Sequence, residues 1–192
     1  METESEIADR DLLKVAYHEV SHAALYRHFD GEAVPQIWRN LDHIERNESA
    51  WAGICESTFL GLEKTPRQDK LTCIAGFIGE RLALAKMDGD SIEEFELWIG
   101  EWLADAIGIG DMSDTDMAGI GADLDDDDVD EVLSILKAAC NNIEVEALDL
   151  ILQAKALAPT SRMRLIPTSI RKQRMDAPKG SFDAIRAFFE SN

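Results

Sequence analysis

The sequence predicts a mainly α-helical fold with one small β-hairpin, in a single domain spanning residues 1–192. Three observations carry this reading. Apolar residues recur at three- and four-residue steps over several long segments, the pattern of helices that bury one face. Only two short, neighbouring stretches are rich in β-branched and aromatic residues. A chain of 192 residues, 45% hydrophobic and 30% charged, is also long enough for one sizeable core without reaching the length at which chains divide.

The elements follow in order. From Ser5 to Phe29, residues Ile7, Leu12, Leu13, Val15, Ala16, Val20, Ala23 and Ala24 keep mostly helical spacing, and Gly31 supplies a C-terminal stop. This is one long amphipathic helix. After Pro35, "QIW" and then "SAWAGICESTF" (Ser49 to Phe59) flank the polar connection "RNLDHIERNE" and read as the hairpin. "TPRQDKLTCIAGFIGERLALAKMDGD" places Thr65 before a first-turn proline and Asp-Gly at its end, around a strongly apolar centre, which predicts a buried helix. "SIEEFELWIGEWLADAIGIG" opens with Ser91 and Glu94 as a capping box and contributes Phe95, Leu97, Trp98, Ile99 and Trp102 to the expected core. The acidic run "DLDDDDVDE" then leads into "VDEVLSILKAACNNIEVEALDLILQAKALA", one or two helices whose N-terminal acids complement the helix dipole. Pro159 to Lys179 is the least patterned stretch, and "SFDAIRAFFE" closes the chain as a short amphipathic helix. No internal repeat or interdomain linker interrupts the sequence.

Composition narrows the function. With 38 acidic against 19 basic residues the formal charge is −19, which repels nucleic-acid phosphate and anionic lipid alike. Neither nucleic acid nor membrane is expected as a partner. The basic stretch Arg162 to Arg174 reads as a solvated linker or a local counterweight to acidic surface, and the acidic run Asp123 to Glu131 as solvated surface. Neither that run nor "DGD" at Asp88 has the glycine and glutamate spacing of a calcium loop. No segment of about 18 apolar residues occurs, and the acidic start "METESEIADR" is unlike a signal peptide, so a cytoplasmic location is expected. Cys55, Cys73 and Cys140 are odd in number and form no CxxC pair, so they read as reduced, buried thiols.

The chemistry concentrates in "VAYHEVSHAALYRHFDG", Val15 to Gly31. At about 100° and 1.5 Å per residue, His18 and His22 lie one turn apart on one helix face and can share one metal ion. Glu19 follows the first histidine by one step. Its carboxylate then lies beside the open metal position, where it can take a proton from water and pass it to a leaving amine. All three fixed positions of HExxH are present on a predicted helix, the context that motif requires.

Four sources of a third ligand are compatible with the sequence. His28 has the His22-plus-six spacing of HExxHxxGxxH, but that pattern uses a glycine to break the helix, and Leu25 stands there. On an unbroken helix His28 is about 9 Å along the axis from His22, too far to share an ion. It therefore reads as a surface histidine near the helix C-terminus. Glu80 in "GFIGERLA", His43, and the pair Asp114 and Asp116 in "GDMSDTDMAGIG" remain, and spacing does not choose among them.

The order of these pieces resembles the proteolytic domain of the FtsH-type zinc proteases. "AYHEVSHAAL" is similar to that family's "HEAGHA" helix, "AWAGICE" to its glycine-containing edge strand, "CIAGFIGERLAL" to its "LAGRAAEELIFG" helix, and "MSDTDMAGI" to its "GAxNDLERA" segment. The resemblance covers roughly residues 15–120. It implies an FtsH-protease-like helical fold with the hairpin beside the active-site helix. It also implies a zinc metalloendopeptidase with zinc on His18, His22 and an aspartate, and Glu19 as catalytic base. Asp116 is followed by Met117 as the family's aspartate is by leucine; Asp114 has an acid two residues and Ala118 four residues on, as in "DLERA". Both are kept. The chain departs from the family in placing Ser21 where a glycine precedes the second histidine, in holding an extra tryptophan-containing helix, and in lacking any GxxxxGK[ST] loop. ATP-driven unfolding therefore cannot come from these residues. The expected substrate is a peptide or unfolded protein, and the expected partner an unfoldase or a homo-oligomer. The alternative is a non-catalytic FtsH-like acidic interaction or adaptor protein.

Overall fold

The computed structural model describes residues 4–46, 48–58, 65–88, 99 and 125–171. In chain order these form α1 (Glu4–His28), β1 (Glu32–Arg39), α2 (His43–Arg46), β2 (Trp51–Thr58), α3 (Pro66–Asp88) and α4 (Asp126–Lys155). The described fold is mainly helical, with one two-stranded antiparallel sheet.

Helix α1 is the axis of the fold, packing against α3, α4 and both strands. At its middle it is enclosed on nearly every side: Ala16, Tyr17, Val20, Ala23 and Leu25 are buried, and so are the polar Glu19, Ser21 and His22. The core is completed by Ile74 and Ile78 of α3, Leu136 and Leu150 of α4, and Ile37 of β1. Each fully buried side chain of this size contributes about 1.5–3 kcal/mol before entropy is counted.

The ends of the helices explain their lengths. α1 closes with Gly31 N–H donating to the Tyr26 carbonyl (2.8 Å) and Asp30 N–H to that of Arg27 (3.2 Å), a Schellman closure. The left-handed residue is Asp30 (φ 59°), one position before the expected Gly31, because a short polar side chain tolerates that conformation. α3 opens with a capping box: Gln68 N–H donates to Thr65 Oγ1 (3.2 Å), and Thr65 N–H to Gln68 Oε1 (3.0 Å). α4 is a single helix, capped by Asp125, whose Oδ1 accepts from the Asp128 N–H (2.8 Å).

The hairpin holds one correction. β1 begins at Glu32 and runs through Pro35, with Pro35 opposite Cys55 and Ile37 opposite Gly53. Proline is tolerated because residues of its parity turn their backbone groups away from β2. Ile37, two residues on, instead exchanges hydrogen bonds with Leu165 (3.1 and 2.8 Å), a bridge on the outer edge of the sheet. Leu165 belongs to the stretch expected to be a linker or a counterweight. It is buried, while Arg162 approaches Asp42 and Arg164 approaches Glu56, both at 3.7 Å. The counterweight role holds there and the linker role does not.

A second correction concerns the acidic run. Asp128 is 2% exposed, with Lys70 Nζ at 2.7 Å and Arg67 Nη2 at 3.2 Å. The cations that neutralise it come from α3, 58 residues away for Lys70, so the run is not uniformly solvated surface. Of the helix expected over 91–110, only Ile99 is described, and it is buried. The closing helix expected over 181–190 lies outside the described residues.

Candidate metal centre

The two histidines of α1 turn toward α3. His18 Nε2 and His22 Nε2 are 3.0 Å apart, with the rings nearly perpendicular and their centroids 4.6 Å apart. His22 Nδ1 lies 2.7 Å from the Thr72 carbonyl oxygen. A carbonyl only accepts, so this nitrogen carries the ring hydrogen and neutral His22 presents a lone pair at Nε2. His18 Nδ1 faces the Glu80 carboxylate at 3.6 Å, an arrangement that also favours hydrogen on Nδ1. The two Nε2 atoms are within hydrogen-bond distance, one ring donating to the other, and a metal ion that displaced that hydrogen would meet both nitrogens at one point.

The space for one comes from α3. A side chain at Gly76 would overlap His22 Nε2 and bring its Cβ to 2.7 Å from His18 Nε2. Glycine costs about 1 kcal/mol against alanine inside a helix, and here it leaves open the point on which both ring nitrogens converge. Two nitrogens bound tetrahedrally to zinc at 2.0–2.1 Å would be about 3.3 Å apart, close to the separation found. The donor set and the room therefore fit a zinc ion. One turn further along, Gly79 does the same for Ser21: a Cβ there would overlap the Ser21 hydroxyl and meet the Tyr17 carbonyl oxygen at 3.0 Å.

Glu19, the residue after His18, packs against β2. Its side chain is buried against Gly53, where an added Cβ would lie 2.6 Å from Oε1. The base candidate thus sits between the histidine helix and the strand "AWAGICE". Cys55, two residues along β2, feels it: burial first, and then the Glu19 carboxylate, push the Cys55 thiol well above its ordinary range.

Glu80 was a candidate third ligand, but it approaches Nδ1 of His18, on the opposite side of the ring from Nε2. Lys14 Nζ holds its other oxygen at 2.8 Å. Burial alone would raise the Glu80 carboxyl, yet contact with His18 and Lys14 outweighs it and holds the group below the ordinary value. Its position is that of a carboxylate bracing a metal-binding imidazole from behind. His43 is elsewhere, with Nδ1 donating to the Asn40 carbonyl (2.8 Å). His28 is the last residue of α1, exposed beside Phe29. Among the described residues no third His, Cys, Asp or Glu joins His18 and His22 in a metal-binding group. Asp114 and Asp116 lie outside the described residues.

Trp51 belongs to the core, and no helix among the described residues is long and apolar enough to cross a membrane. Sequence reasoning named His18, Glu19 and His22 but missed Gly53 and Gly76. A glycine inside an apolar helix or a strand is a sequence signal of close approach, and it was available at both positions. A scan against protein-family models finds no match to this chain, and neither does a comparison with curated proteins.

Proposed function

We propose that this protein is a zinc-dependent metalloendopeptidase of FtsH-like design, with His18 and His22 as zinc ligands and Asp114 or Asp116 as the third. Glu19 is its general base. The observation that carries the reading is the convergence of two Nε2 atoms beside Gly76, with both Nδ1 atoms engaged on the far sides of their rings. Zinc at that point supplies Lewis acidity, polarising a peptide carbonyl and acidifying water.

The chain's own groups do the rest. Thr72 and Glu80 fix the orientation of the two imidazoles. Glu19, held against Gly53, accepts a proton from the attacking water and delivers it to the departing amine. The outward backbone groups of Gly53 and Cys55 have the opposite parity from those bonded to β1, so among the described residues they offer a strand edge to an extended peptide beside Glu19. A peptide or a loosened segment of a protein suits such an edge, and an unfoldase or a homo-oligomer could deliver it.

The test is a metal and activity pair on the full chain. Wild type should carry about one zinc and His22→Ala little or none. Glu19→Gln should keep the zinc and lose peptide cleavage by about 10²–10⁴-fold. Asp114→Ala and Asp116→Ala, compared by chelator competition, should separate into one strong and one weak effect. Equal zinc in wild type and His22→Ala would sink the site. Zinc without cleavage of any loosely folded substrate would favour the acidic adaptor reading instead.

A further inference from the structure

The open end of the hairpin lies beside the start of α1. Successive side chains of a strand alternate between faces, so Arg39, the last residue of β1, shares the face of the buried Ile37, and its partner across the sheet is the buried Trp51. The guanidinium carbon of Arg39 lies 4.6 Å from the centre of the Trp51 ring. A guanidinium has five N–H donors to place. Here Nε is sealed from solvent without a partner, and no hydrogen bond or ion pair holds the group among the described residues. Arg39 is a half-buried cation whose donors are unused.

It lines a cavity of about 600 Å³ between the start of α1, the end of the hairpin and the end of α4, a volume within the usual range of small-molecule pockets. The other charged groups of the lining are engaged: Lys155 with Asp9 at 3.3 Å, Asp11 with the Ala50 N–H at 2.9 Å, and Glu48 Oε2 with the Asn40 side-chain amide at 3.0 Å. Glu48 Oε1 has no partner among the described residues. Two cations against three carboxylates leave the lining at about −1, with His43 counted as neutral. Much of the remaining wall is apolar. Leu12 and Trp51 form its buried part, while Ile7 and Ile44 stand 46% and 70% exposed.

We propose that this cavity binds a free α-amino acid with an apolar side chain. Each feature of the lining removes another class of ligand. A simple anion would satisfy Arg39 but enter a wall of net negative charge, and a simple cation would leave Arg39 unpaired. A zwitterion meets both demands, with its carboxylate on the planar donors of Arg39 and its ammonium on the open oxygen of Glu48. The apolar side chain then covers Ile7 and Ile44, which water now reaches. None of these groups belongs to the metal centre, so the inference is independent of the zinc reading.

The test is calorimetric titration of the full-length protein at pH 7 and physiological salt with L-leucine. N-acetyl-L-leucine, which lacks the ammonium, L-leucinamide, which lacks the carboxylate, and glycine, which lacks the side chain, are the comparators. One-to-one saturation by leucine is expected, with each comparator about tenfold weaker or more. Arg39→Gln should weaken leucine by about tenfold or more and leave leucinamide unchanged, because only the carboxylate loses its partner. Glu48→Gln should weaken leucine to a similar extent and leave N-acetyl-leucine unchanged. His22→Ala should bind leucine as wild type does. Non-saturating heats, comparators that equal leucine, a folded variant that weakens leucine and its two derivatives alike, or loss of binding in His22→Ala would each overturn the proposal. If Arg39→Gln fails to fold because Trp51 loses its cover, Glu48→Gln, at an exposed position, decides the matter.

Discussion

Helix α3 carries a polar cluster at its start and another along its middle, and the two are built on opposite principles. At the start, both oxygens of the buried Asp128 face cations, Lys70 at 2.7 Å and Arg67 at 3.2 Å, and its backbone N–H is capped by Asp125. The carboxylate also stands at the N-terminus of α4, where negative charge is favoured. That cluster is complete. Along the middle, the Glu80 carboxylate and two imidazoles share a seam in which Lys14 pairs with Glu80, and the two ring nitrogens meet at 3.0 Å. A satisfied cluster holds the fold together. One in which two imidazoles converge beside a glycine has the donors and the room for a metal ion.

The largest effect expected from this contrast is at Gly76. Gly76→Ala adds a Cβ against the tips of two imidazoles that Thr72 and Glu80 hold, so the gain of about 1 kcal/mol in helix propensity is offset by the cost of displacing them. Thermal stability should therefore change little while zinc content falls from about one per chain toward zero. Gly79→Ala should do the reverse, costing about 1–3 kcal/mol, because its Cβ meets the Tyr17 backbone oxygen and the Ser21 side chain. If both variants lose zinc and stability in parallel, the middle cluster is structural too.

Next in size is Asp128→Ala. Removing one partner from a buried pair costs about 3–5 kcal/mol, reduced here to about 2–3 because Arg67 and Lys70 both reach water. Urea denaturation should register that loss with zinc affinity unchanged. Glu80→Gln should show the opposite division, with stability little altered and zinc affinity lowered about 10–100-fold, the usual penalty for losing a group behind a metal-bound histidine. A chelator competition in which Glu80→Gln equals wild type would remove Glu80 from the site.

The smallest effect is at Cys55. Burial and the Glu19 carboxylate push its thiol up, so at pH 8 it should alkylate more slowly than free cysteine. Glu19→Gln removes a charge that opposes the thiolate. The Cys55 pKa should then fall and its alkylation quicken, and an unchanged rate would mean that Glu19 does not act on this strand.

What could be read from the sequence was what local spacing encodes. The four-residue step from His18 to His22, the cap at Thr65 and the helical period of α1 are local, and all three are present in the fold. Long-range partners were hidden. Nothing in "DLDDDDVDE" distinguishes the fourth residue of the tetra-aspartate from its neighbours until α3 brings Lys70 to it. Glu80 was one of four candidates for a third ligand, yet it meets His18 at Nδ1, because sequence cannot say which ring nitrogen a carboxylate will meet. The cavity beside Arg39 draws on residues 11, 39, 48 and 155, a separation that no motif spans. Asp114 and Asp116 rest on order along the chain alone.

The bridge between Ile37 and Leu165 also matters while the protein is being made. β1 and β2 can pair once residue 58 has emerged from the ribosome, but the strip that covers β1's outer edge emerges more than a hundred residues later. At 5–20 residues per second the nascent hairpin waits on the order of ten seconds with that edge open. Pro35 lies on this edge and has no N–H to offer a neighbouring chain. The residue that looked like an intrusion in a strand is thereby a guard against strand addition on the ribosome, until Leu165 takes the place.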